Sequence, residues 1–144
     1  MNNLEKLEET VRSWPEVSVH PHRFGGREFR YEAAEIGHIH TGGILDIPFP
    51  RPIHDALLGA GLAERHRWVP DSGWITFRIR NENDLQHGLW LMRLSYVRYR
   101  LKRTSDPQAL LESESVGLGL RTDFKSLLTQ YIPVKSRLVE ARAS

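Results

Sequence analysis

The chain opens on a helical period and then changes to a short, alternating one. Leu4, Leu7, Val11 and Trp14 recur every three or four residues, one face of a helix. Asn2 precedes it as an N-cap with Glu5 three residues on, and Pro15 ends it. From Val17 the period falls to two. Val17 and Val19 alternate with Ser18 and His20, and Pro21 marks an edge strand or a strand end. A turn at Gly25-Gly26 leads to a strand over REFRY. AAEIGHIH and ILDIPF flank Thr41-Gly42-Gly43 as a hairpin.

The period then returns to that of a helix. Pro52 suits the first turn, Ile53, Leu57 and Ala60 form the stripe, and Gly61 stops it. HRWVPDSGWITFRI reads as strand, tight turn, strand, with Trp74, Thr76 and Arg78 on one face. A long helix over 84–102, capped by Asn83 or Asp84, is apolar on two sides. Leu85, Leu89, Met92, Tyr96 and Tyr99 line one, and Trp90, Leu94, Val97 and Leu101 the other. Such a helix is either central or the seam of a homo-oligomer. Beyond Arg103 the pattern weakens to a short helix at Gln108–Glu112 and another over DFKSLLTQYIP, before a poorly ordered tail from Val134.

The order α-β-β-β-β-α-β-β-α predicts one α+β domain over residues 1–103, a curved antiparallel sheet with helices mainly on one face. Residues 104–144 form a C-terminal extension.

Composition narrows the chemistry. The 144 residues are 40% hydrophobic and 26% charged, with a net charge of +2, too little to point to nucleic acid. No apolar run reaches membrane-span length, and MNNLEKLEET is no signal peptide, so the expected compartment is the cytoplasm and no membrane partner is expected. The absence of cysteine excludes disulfides, thiolate metal sites and a cysteine nucleophile. Of seven histidines, all but His87 lie between positions 20 and 66.

His38 and His40 share a strand face. If Gly42-Gly43 is a two-residue turn, His40 pairs with Leu45 and His38 with Ile47, so Asp46 falls on the opposite face beside Ile39. The histidines then lie among Ile36, Leu45, Ile47 and Phe49, as hydrogen-bonded residues at a core edge or as the polar floor of an apolar pocket. No cofactor is expected. Were a metal present, its ligands would come from His20, His22, His38 and His40. His66, Trp68 and Trp74 place an acid or base beside an aromatic wall and complete a candidate pocket with His38 and His40. Arg23, Gly25, Gly26 and Arg27 form a candidate anion site. RLSYVRYRLKR interleaves cations with tyrosines, but the tyrosines fall on the apolar face.

HRFGGREF, EIGHIHTGGILDIPFPRPIHDALLGAGLAERHRWVPDSGWITFRI and LMRLSYVRYR together resemble the luciferase-family or luciferase-like domain proteins, over about Trp14 to Lys102. The resemblance implies an association with bioluminescence and brings no catalytic residues with it. A weaker similarity, of layout only, is to the MmcQ/YjbR-like family. It implies a compact α+β domain with a curved antiparallel sheet.

The expectation is a small domain binding a small molecule or partner in a pocket near the histidine strands and the Trp68–Trp74 hairpin. The alternatives are a luciferase-like oxidoreductase or histidine–metal enzyme, and a nucleic-acid or protein interaction module using the basic side of the long helix.

Overall fold

The computed structural model describes residues 1–134. The tail from Val134, apart from that first residue, lies outside the described residues. Helix α1 (Asn3–Arg12) begins where Asn2 Oδ1 accepts the Glu5 N–H at 2.8 Å. Strands β1 (Val17–Pro21), β2 (Arg27–Tyr31), β3 (Ala34–Ile39) and β4 (Ile44–Pro48) follow. Next come α2 (Arg51–Gly59), β5 (Glu64–Arg65), β6 (Trp74–Arg78), α3 (Glu82–Arg100), α4 (Pro107–Leu118) and α5 (Thr122–Thr129). The fold is α+β. Its six strands form one open antiparallel sheet in the order β1-β2-β3-β4-β6-β5.

Two compact units divide the chain, Met1–Ser95 and Tyr96 onward. In the first, one sheet face is apolar, with Phe29, Ile39, Leu45, Ile47 and Ile75 fully or almost fully buried. Two helices cover that face. Helix α1 buries Leu7 and Val11, and its Glu8 takes the Arg27 Nε–H at 2.9 Å. Helix α3 lies close over β3: a Cβ on Gly37 would meet Met92 Sδ at 2.7 Å, and Ser95 Oγ donates to the Ile36 carbonyl at 2.9 Å. In the second unit α4 packs against α5, and Lys125 Nζ bonds Glu112 at 2.6 Å.

Four local expectations change. The β3–β4 loop holds three residues, Thr41-Gly42-Gly43, because His40 N–H bonds the Ile44 carbonyl at 2.9 Å. Register therefore shifts by one, His38 opposing Asp46 and Ile39 opposing Leu45. Asp46 shares the face of His38 and His40, and Leu45 and Ile47 leave it. Strand β5 is only Glu64–Arg65, so His66 and Trp68 belong to a loop rather than to a strand. The α3 cap is Asn81, whose Oδ1 accepts from Asp84 N–H at 2.9 Å, because Asn83 and Asp84 already lie inside the helix. Helix α4 is longer than its apolar pattern indicated. Asp106 caps it at Ala109 N–H, and left-handed Gly119 closes it.

Candidate functional site

One register row crosses all six strands on the face opposite α1 and α3. It runs His20, Glu28, His38, Asp46, Thr76, Glu64, each residue opposite the next. Directly opposed residues project from the same face of a sheet. Alternation alone would place Glu35 and His38, three apart, on opposite faces. The pairing of β2 with β3 skips Ile36, as Phe29 opposes Gly37 and Arg30 opposes Glu35. This bulge turns Ile36 into the core and brings Glu35 Oε2 within 3.4 Å of His38 Nδ1.

Asp46 is the hub. It is 3% exposed, so its charge needs partners. Its Oδ1 accepts from Thr76 Oγ1 at 2.6 Å. Its Oδ2 lies 2.9 Å from His40 Nε2, 3.3 Å from His38 Nε2 and 3.5 Å from His66 Nε2. His66 comes from the loop after β5. Its Nδ1 accepts backbone N–H bonds from Trp68 and Val69 at 3.2 and 3.3 Å, which leaves Nε2 to carry the proton toward Asp46. Burial disfavours charge on both Asp46 and His38, but their contacts prevail. With the His38, Thr76 and His40 hydrogen bonds, the Asp46 carboxyl is held down at about 2. The Asp46 and Glu35 bonds raise His38 to about 9. That corner of the site is therefore an ion pair at neutral pH.

His22 joins from beyond β1. A tight turn with left-handed Phe24 and Gly25 reverses the chain, and His22 N–H bonds the Gly26 carbonyl at 2.9 Å. The His22 ring stacks on His38 with centroids 4.0 Å apart, and its Nδ1 lies 3.4 Å from Glu28. Burial, then the neighbouring His38, lower the His22 pKa. Burial also opposes the charge of Glu28, but the Arg30 bond at 2.6 Å keeps its carboxyl below the usual range.

Beside the cluster is a cleft of about 250 Å³. Asp46, His40, His66, Thr76 and Arg67 are its polar lining residues, and Ile44 and Trp68 complete it. Trp68 is 74% exposed at the mouth. Trp74 stands behind, 5.3 Å from the His38 ring and 6.2 Å from that of His66.

Of the residues singled out from sequence, His22, His38, His40, His66, Trp68 and Trp74 come together here. His20 lies in the row, but its ring bonds Ser18 Oγ at 2.8 Å. Arg27 turns its guanidinium onto the Gly25 and Gly26 carbonyls and Glu8, and the Gly26 N–H is taken by the Arg23 carbonyl. On α3, Arg93 lies over Trp14, Arg98 is buried over Tyr99, and Arg100 faces Tyr96 and Glu114. Asp46, Glu28, Glu35 and Thr76 were not singled out as site residues. Counting three residues in the hairpin loop would have found Asp46 and, from the opposing strand, Thr76. The bulge that recruits Glu35 leaves no local signal beyond Gly37.

The fold and site define an α+β domain with a histidine–carboxylate cluster under a small cleft. Residues 33–95 match the family model described as Luciferase domain, to which that stretch is similar. It spans β3 through the first part of α3 and includes every cluster residue except His22 and Glu28. No curated protein and no solved structure matches the chain. Among the described residues, no helix is long and apolar enough to cross a membrane.

Proposed function

We propose that this domain binds a small, flat, largely apolar molecule in the cleft, with one polar group of that molecule seated on Asp46, His40 and His66. The observation that carries the reading is an apolar mouth over convergent polar atoms. Trp68 holds an indole in solvent at the opening, and Asp46 and three imidazoles lie beneath it. A few placed polar groups in an otherwise apolar concavity orient a ligand. The cleft, about 250 Å³, falls below the roughly 300–1,000 Å³ of drug-sized sites, so the ligand is small. Ligand-observed NMR screening of small phenols and aromatic acids should return binders. Ile44→Trp, which fills the cleft, should abolish their binding. Trp68→Ala should weaken it about tenfold, as expected for losing an aromatic contact. Compounds that bind the Ile44→Trp protein equally well would place the ligand elsewhere.

A second reading, an oxidoreductase of the luciferase-like type, draws support from the family match over residues 33–95. Oxygen uptake or photon emission with the bound compounds should then exceed that of His66→Gln protein. Equal signals from both proteins would exclude this cleft as the reacting centre.

A further inference from the structure

His22, His38 and His40 each offer a ring nitrogen within 4.8 Å of the other two, the one histidine group of this kind among the described residues. We propose that these three side chains hold one divalent first-row transition ion, of the zinc or iron(II) kind, with an open position for water or substrate. This inference shares His40 and Asp46 with the organic-ligand reading but does not rest on it, since the ion needs neither Trp68 nor the apolar wall.

The donors select the ion. Neutral imidazoles suit zinc, iron, cobalt, nickel and copper, whereas magnesium and calcium require oxygen ligands. Metal–nitrogen bonds of about 2.0–2.1 Å place ligand nitrogens roughly 3–3.5 Å apart. The ring nitrogens lie within 4.8 Å of one another, so binding draws them closer by ring rotation, which takes His22 and His38 out of a stack now 19° from parallel.

The surrounding carboxylates match an outer coordination shell. A ligating histidine usually gives its second nitrogen to a carboxylate, which fixes the ring. Here Glu28 lies 3.4 Å from His22 Nδ1, Glu35 lies 3.4 Å from His38 Nδ1, and Asp46 lies 2.9 Å from His40 Nε2. These contacts leave Nε2 of His22 and Nδ1 of His40 for the ion. His38 Nε2 faces Asp46 Oδ2 at 3.3 Å and exchanges that contact for the ion, while Asp46 stays in the outer shell on His40 Nε2. Binding displaces a proton from His38, because a metal ligand must be deprotonated. Three carboxylates then surround a dication. The side chains of His22 and His40 are 18% and 30% exposed, so an ion can enter and keep an open position.

The test uses the full chain without a histidine tag, stripped with chelator and titrated with Co²⁺ and Zn²⁺. The expected result is about one equivalent bound, a visible Co²⁺ spectrum of low coordination number and a raised Tm with Zn²⁺. Glu28→Gln should weaken binding by about 10–100-fold, and His22→Gln and His40→Gln by more. His20→Gln should leave it unchanged. His22 follows the end of an edge strand, so its variant keeps the fold, as circular dichroism will verify. Uptake below about a tenth of an equivalent, or uptake that survives the His22→Gln/His40→Gln double variant, overturns the proposal. The first outcome would leave a hydrogen-bonded histidine–carboxylate network in its place.

Discussion

Asp46→Ala is expected to cost about 3–5 kcal/mol of folding stability, the range for removing one partner of a buried ion pair. The carboxylate is almost inaccessible and faces His38, His40, His66 and Thr76. Its loss leaves those donors around a cavity. The charged His38 retains only Glu35, at 3.4 Å. Asp46→Asn separates charge from shape. It can still accept from Thr76, but it presents an amide where two or three imidazoles converge, so it should lie between wild type and alanine. Urea denaturation of the three proteins checks this order. A cost for alanine within about 1 kcal/mol, the worth of one ordinary hydrogen bond, would show that the cluster is solvated and that Asp46 is not its hub.

Gly73→Ala is the second large effect, expected at about 3 kcal/mol or more, the upper part of the range for overpacking. A Cβ at Gly73 would run into the Phe49 carbonyl oxygen. Neither side can give way easily. Phe49 N–H bonds the Gly73 carbonyl at 3.1 Å, extending the β4–β6 pairing one step past Pro48 and Trp74. Phe49 is itself buried, and α2 begins two residues later. The clash is with backbone, so no rotamer relieves it. The strain passes to Trp74 and to the 66–73 loop that carries His66 and Trp68. Soluble yield, Tm and the emission spectrum of the tryptophans report it together. A Tm within a few degrees of wild type would mean that the 66–73 loop shifts to admit the methyl group.

The two effects differ in how visible they are from the chain. Gly73 sits in PDSGW, whose turn chemistry was plain, but nothing local says that Phe49 approaches it. Asp46 falls on the apolar face with a two-residue loop and on the histidine face with the three-residue loop the chain adopts. A β-strand has period two, so such a difference moves every side chain across the sheet. The same sensitivity explains Ile36, which a bulge takes from the histidine face into the core.

What the amino-acid order determines by itself is what nearest neighbours decide. The Asn2 cap on α1, the strand alternation, the Gly61 stop and the two apolar sides of α3 all rest on residues within a turn or two of one another. The α+β class and the crowding of histidines into one half of the chain follow from those. Tertiary structure alone decides which histidines meet. His22 reaches His38 across the intervening β2 because a three-residue turn folds the chain over. His66 reaches Asp46 because β5 ends early and frees its loop. Glu28, His38, Asp46 and Thr76 become neighbours through three strand registers. Each register is fixed by burial of the opposite, apolar face against α1 and α3. The site is the polar reverse of that core, and its composition was settled wherever the packing of the other side fixed the pairing.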